Sequence, residues 1–302
     1  MNLISCIILK TLAYADVFDY PLNEKEIYRF LISKFQIPCL AGRQANSKFQ
    51  KELTALSANI CRKEGFYFLK GRQKIVEIRK KREKWSREKF KIARRVARWL
   101  QVIPWIKMVG ITGALAMNNA TKDDDVDILI ITAKNRLWLT RLLVVILLEI
   151  LGCRRRPSDL PANKQVNNKI CLNMLLDEDH LTVPERERDL FTAHETCQLK
   201  PIYNKDDAYQ KFIQANIWVK KFLANGLDTK IPGYYDIKKK KRNSLSILMS
   251  QYLNILEKVV YKIQLVYMKS RKTTEITEPG RVLFHPRNCR NWILKEYHQR
   301  LR

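Results

Sequence analysis

Hydrophobic positions recur along the chain with two different periods. From Leu3 to Tyr14 apolar residues crowd a stretch of helical length. The turn Asp19-Tyr-Pro-Leu22 follows, and Asn23 then stands three residues before Glu26, a variant of the capping box that opens a helix. Ile27, Phe30 and Leu31 carry the second helix, and Phe49, Leu53, Leu56 and Ile60 a third, all at three- and four-residue steps. The β-prone runs Gly65–Gly71 and Lys74–Arg79, around Lys70-Gly-Arg-Gln73, predict a hairpin. Between Arg79 and Leu100 the 3.6-residue period returns, with Trp85, Ile92, Val96 and Trp99 forming its predicted apolar side. Beyond Trp105 the pattern switches to short buried strands, Ile106–Ile111, Val126–Thr132 and Asn168–Leu176. A short helix from Gly113 to Asn119 and a long one from Arg136 to Leu151 separate them. After Lys200 the chain reads as helical, marked by Tyr209–Phe222 and by Leu245, Leu248, Met249, Tyr252, Leu256, Val259, Ile263 and Val266. Lys238-Lys-Lys-Lys-Arg242 reads as a basic linker between these two helices.

Composition limits the function classes. The 302 residues are 46% hydrophobic and 29% charged, which describes a globular chain with a buried core and not a disordered one. Seven scattered cysteines without a CxxC pair exclude a zinc ribbon or a disulfide framework and suit a reducing compartment. The most apolar segment, Leu137–Leu151, is interrupted by Arg141 and Glu149, so no membrane insertion is expected. No basic leader precedes the first helix, and a cytoplasmic location is the expectation.

Charge changes the picture more. Lysine and arginine number 57 against 30 acids, a formal net charge of +27. Such a surplus favours polyanionic partners, nucleotide phosphates, RNA or DNA among them. Arg79–Leu100 concentrates it, with eleven basic residues against Glu83 and Glu88. Two readings stay open for that helix: polyanion contact, or a solvated face on a linking element.

The chemistry-bearing segment is Val109-Gly-Ile-Thr-Gly-Ala-Leu-Ala-Met117, followed by Asp123-Asp-Asp-Val-Asp-Ile-Leu-Ile-Ile131. Side chains alternate along a strand, so Asp125 and Asp127 share a face. Two adjacent carboxylates repel each other unless a cation neutralises them, and Mg2+ suits them while still accepting phosphate oxygens. Gly113 permits a close turn where backbone N–H groups face a phosphate.

This pattern resembles the DNA polymerase β-type nucleotidyltransferase superfamily, whose motif is Gly-[Gly/Ser], a gap of roughly ten residues, and Asp-h-[Asp/Glu]. Gly113-Ala114 and Asp125-Val-Asp127 fit it in register over roughly Ile106–Asp177. The resemblance implies an α+β fold with a small mixed sheet over 105–200. By element order, residues 1–80 resemble a winged helix-turn-helix, which could read DNA or serve as a packing module. A basic linking helix is expected over 81–104 and a helical region over 201–302. The resemblance further implies transfer of a nucleotidyl group from a nucleoside triphosphate, ATP first, to an unknown acceptor. Asp125 and Asp127 would be catalytic and hold Mg2+, and Thr112, Gly113, Ala114 and Lys122 would hold the nucleotide. The family's serine is Ala114 here, and its third carboxylate, on a later strand, is Asn173, which cannot act as a base. Asp177 could replace it. A silent nucleic-acid-binding protein that keeps the fold, and an interaction protein, are the alternative readings. His194-Glu195 reads as a structural pair. Arg136, Arg141 and Arg154-Arg-Arg156 flank the core within reach of phosphates, and His285 is given no role.

Overall fold

The computed structural model describes residues 2–33, 49, 51–156, 166–227, 244–269, 276–283 and 288–301. Lys238–Arg242 and His285 lie outside them. Among the described residues the chain is a mixed α+β protein with one antiparallel and one mixed sheet.

The amino-terminal elements are α1 (Leu3–Asp16), β1 (Leu22–Asn23) and α2 (Glu24–Arg29). Next come α3, helical at 49 and 51–55, and the strands β2 (Ile60–Lys63) and β3 (Phe66–Leu69). The capping box at α2 is complete: the Asn23 side chain accepts from Glu26 N, and the Glu26 carboxylate accepts from Asn23 N. Ile8, Leu12, Ile27, Leu31, Phe49, Leu53 and Leu56 meet in one buried cluster, so the helical spacing does place an apolar face inward.

The hairpin differs from the expectation. Its arms are β2 and β3, closed at Glu64 and Gly65 with φ of 53° and 80°, the left-handed geometry of a tight hairpin turn. β3 also pairs with β1. The run Lys74–Arg79, expected as the second arm, instead opens the 26-residue helix α4 (Ile75–Leu100). Its β-branched residues are few and flanked by strong helix formers, and Ile75, Val76 and Arg79 turn to one buried face. Trp99, expected on the apolar side, is 53% exposed; Ala93, Val96, Ala97 and Leu100 make the contact.

The second sheet has six strands in the order β7-β4-β5-β6-β9-β8. β4 (Ile106–Ile111) pairs antiparallel with β5 (Val126–Thr132), and β5 pairs parallel with β6 (Ile170–Asp177). The short helix α5 (Gly113–Ala116) lies between β4 and β5, and α6 (Leu137–Ile150) crosses from β5 to β6. α5 stops before the expected Asn119, because Asn118 turns left-handed at φ 56°. β5 is apolar on both faces, as a strand covered on both sides must be.

Residues 201–302 are not wholly helical. α7 (Leu190–Gln198) leads into β7 (Lys200–Asn204), the edge strand beside β4, and α8 (Ala208–Ala215) follows. β8 (Ile276–Glu278) and β9 (Arg281–Leu283) extend the sheet beyond β6. α9 (Ser244–Lys269) rests on α6 with a mixed side inward, where Val260, Tyr261, Leu265 and Met268 pack on the core beside the buried Glu257 and Gln264. Glu257 accepts from Trp138 N and Leu139 N at the start of α6, and Gln264 bonds Arg141 and Trp138 O. Tyr252, Val259, Ile263 and Val266, expected to be its packing positions, are exposed. The N–H groups at the start of α6 draw the carboxylate inward, and this contributes to the helix's rotation together with the packing of Val260, Tyr261, Leu265 and Met268. α10 (Asn288–Arg300) packs Ile293 and Tyr297 against Tyr14 and Val17 of α1. No helix among the described residues is long and apolar enough to cross a membrane.

Candidate active site

The carboxylates of Asp125 and Asp127 lie on one face of the entry to β5, beside the Cys171 thiol. One ligand atom from each lies within 4.8 Å of the others. Cys171 is there because the parallel register sets it opposite Asp127. Gly113, with φ of 62°, turns β4 into α5 directly against this face; a Cβ there would meet Asp127 Oδ2 at 3.0 Å. Thr112 N donates to the Asp127 carbonyl at 3.1 Å and locks the turn to the strand.

Asn173 is the extra residue of a bulge, since Ile128 pairs with Leu172 and Leu129 with Met174. Its side chain donates to Thr112 Oγ1 at 3.2 Å and lines the same cavity as Asp127. Asp177 pairs with Thr132 at the other end of β5, roughly 17 Å along the strand from Asp127. There it takes His180 Nδ1 at 2.6 Å. It cannot replace a carboxylate at the site. The Lys122 side chain is exposed and does not line the cavity. Arg136 and Arg141 bond Asn254 and Gln264 of α9, and Arg154 and Arg156 bond Glu149. Of these arginines only Arg155 reaches the site, pairing with Asp125 and donating to Cys171 Sγ at 3.5 Å.

The cavity measures about 580 Å3, within the usual range for a small-molecule site. Thr112, Gly113, Ala114, Asp127, Asn173 and Arg155 stand along its wall, and so does Glu195 of α7. The Glu195 carboxylate accepts from the Gly113 N–H. Gly113 thus sits between two carboxylates, Asp127 and Glu195. Burial, then repulsion from Asp125, raises the Asp127 carboxyl to about 7. Burial likewise raises Glu195 to about 7, against the Gly113 hydrogen bond that lowers it. The Cys171 thiol is held well above its ordinary range by burial, then by Asp127 and Asp125. His194 next door stacks on Tyr14 at 4.0 Å, and burial pushes its pKa down to about 3, so it is neutral.

No protein-family model, curated protein or solved structure matches the chain. The functional reading therefore rests on the site itself.

The donor set fits a hard divalent cation only in part. Asp125 and Asp127 supply two anionic oxygens on one face, as Mg2+ requires. A neutral thiol is a poor partner for it, which removes Cys171 from the ligands. Arg155 already compensates Asp125 through one carboxylate oxygen, so a cation at both carboxylates competes with that ion pair. Three residues of this site escape sequence reasoning. Glu195 comes from a helix 68 residues beyond Asp127, with no spacing signal linking them. Cys171 reads as a small buried residue until the register sets it beside Asp127. Arg155 is singled out only within a triple, and one member of that triple faces inward.

Proposed function

We propose that this chain is a nucleotidyltransferase of the DNA polymerase β type, carrying an amino-terminal winged-helix-type module. The order β4-α5-β5-α6-β6, with its antiparallel and parallel pairings, supports the core assignment. The order α1-β1-α2-α3-β2-β3 supports the module. One observation carries the reading: Gly113 lies between the carboxylates of Asp127 and Glu195 on the wall of a nucleotide-sized cavity, with Asp125 on the face of Asp127.

In this reading an acceptor hydroxyl attacks the α-phosphorus of a nucleoside triphosphate. The new O–P bond forms, the bond to the β-phosphate bridging oxygen breaks, and pyrophosphate leaves. Asp125 and Asp127 would hold Mg2+, which when bound would neutralise phosphate charge and stabilise the attacking and leaving oxygens. The backbone at Gly113 and Ala114 admits the phosphates closely because neither residue has a bulky side chain. Thr112, tied to Asn173 and Asp127, fixes the turn. Glu195 takes the acceptor proton. It replaces the third carboxylate that the family carries on a later strand, where Asn173 stands here. Its pKa of about 7 suits a base working near neutral pH.

Incubation with labelled nucleoside triphosphates, Mg2+ and total cellular RNA tests the reading. Label should enter the acceptor, and Asp125→Asn should reduce transfer by about 100-fold or more with the fold intact. Equal transfer by the variant removes Asp125 from the mechanism. A second reading, a silent protein that keeps the fold, is favoured by the Arg155–Asp125 ion pair. It predicts no transfer and no Mg2+-dependent binding of ATP in calorimetry.

A further inference from the structure

The helix α4 has two unlike sides. Inward, Lys89 is 1% exposed, and its ammonium donates to the carbonyls of Lys122 and Asp124 at 3.0 and 2.5 Å. The loop that presents Asp125 is thereby bound to this helix. Outward, Lys84, Arg87, Lys91 and Arg94 follow one another at three- and four-residue steps, and Arg95 and Arg98 continue the same side, all exposed. Of these six only Lys91 has an acidic partner among the described residues, Glu88 at 2.9 Å, and that pair is itself exposed. The row runs about 21 Å along the helix. At its end stands Trp99, 53% exposed, where the apolar period of the sequence would have buried it.

We propose that the outward face of α4 is a docking track for a single-stranded polynucleotide, with the cations on its phosphates and Trp99 stacking on an unpaired base. A row of cations beside one open aromatic ring supplies the elements of single-strand recognition, because every base has a face to stack and only an unpaired base offers it. A lipid surface fits less well, since interfacial helices bury a continuous apolar face and this side has none beyond Trp99 and Val102. Lys89 and the Asp125 loop lie on the opposite side of α4 from the track, about one helix diameter, roughly 10 Å, away. Binding to the track does not rest on the transferase reading, so it is measured without nucleotide.

Fluorescence anisotropy of a labelled 20-mer of oligouridylate and of an RNA duplex of equal length, across a salt series, tests the track. Arg94→Glu/Arg95→Glu/Arg98→Glu should flatten the slope of log K against log salt by about 2, since each phosphate contact on a single strand contributes about 0.7. Lys258→Glu/Lys262→Glu/Lys269→Glu on α9 makes the same change in net charge on another exposed surface, and should alter the slope far less. Trp99→Ala should weaken single-strand binding about 10-fold or more, leaving duplex binding and the salt slope unchanged. Equal effects of the two triple variants would mean a diffuse field and overturn the track. So would an effect of Trp99→Ala that is the same on duplex and single strand. Trp99-dependent binding to phosphatidylcholine–phosphatidylserine vesicles without Trp99-dependent RNA binding overturns it in favour of a membrane. Intact binding with no transfer leaves the track standing and removes only the transferase.

Discussion

Replacing Lys89 with methionine tests how the loop before Asp125 is held. The Lys89 side chain is almost fully enclosed and its ammonium meets four oxygens: the Lys122 and Asp124 carbonyls, and Asn167 Oδ1 and Asn168 Oδ1, both at 3.1 Å. Methionine keeps the volume and removes every donor. Asn168 is exposed and Asn167 half-buried, so their amide oxygens turn to water at small cost. The two carbonyls face the helix and lose charged donors worth roughly 1.5–3 kcal/mol each. Against this, the variant no longer buries an ammonium, whose pKa burial lowers while Asp124, Asp125 and Asp123 raise it. A net loss of about 3 kcal/mol follows, or roughly 6 °C in Tm at about 2 °C per kcal/mol for a chain of this size. Thermal unfolding followed by tryptophan fluorescence measures it, and amide exchange over residues 121–126 should quicken in the variant. A Tm within 1 °C of wild type, or above it, would refute the reasoning: the desolvation of the lysine would then outweigh its hydrogen bonds.

Two further outcomes follow from the carboxylates around Gly113. Asp127 and Glu195 are raised from 3.8 and 4.5 to about 7, so the folded chain binds more protons than the unfolded one between about pH 4 and 7. Stability therefore falls as pH rises through that window. Glu195→Gln should flatten this dependence and raise Tm at pH 8, while Mg2+ should raise the Tm of the wild type more at pH 8 than at pH 5.5. A Tm that rises from pH 5 to 8 contradicts the assignment. Gly113→Ala forces a Cβ into a left-handed conformation and to 3.0 Å from Asp127 Oδ2. A loss of about 1–2 kcal/mol in urea unfolding and weaker Mg2+ binding are expected, and an unchanged midpoint would show that the turn relaxes freely.

The sequence by itself determined the elements whose signals are local. The apolar runs became β4, β5 and β6, since a strand covered on both faces needs no partner to declare itself. The capping box of α2 was legible because its two hydrogen bonds lie within three residues. Asp125 and Asp127 share a face because alternation along a strand is a local rule, and the Gly113 turn against them follows from the same segment. What remained hidden depended on partners distant in the chain. The hairpin arms differ from the expectation because β-prone runs flank two glycine-containing turns, and only pairing with β1 and packing under α4 chooses between them. On α9 the N–H groups at the start of α6 take Glu257 inward, with Gln264, Val260, Tyr261, Leu265 and Met268 on the same side, which leaves Tyr252, Val259, Ile263 and Val266 outside. Trp99 was exposed because α4 turns Ala97 and Leu100, not the tryptophan, toward the core. Glu195, Arg155 and Cys171 came to the site by sheet register and helix packing. A buried carboxylate or thiol acquires its chemistry from neighbours that burial brings near, and sequence separation carries no record of them.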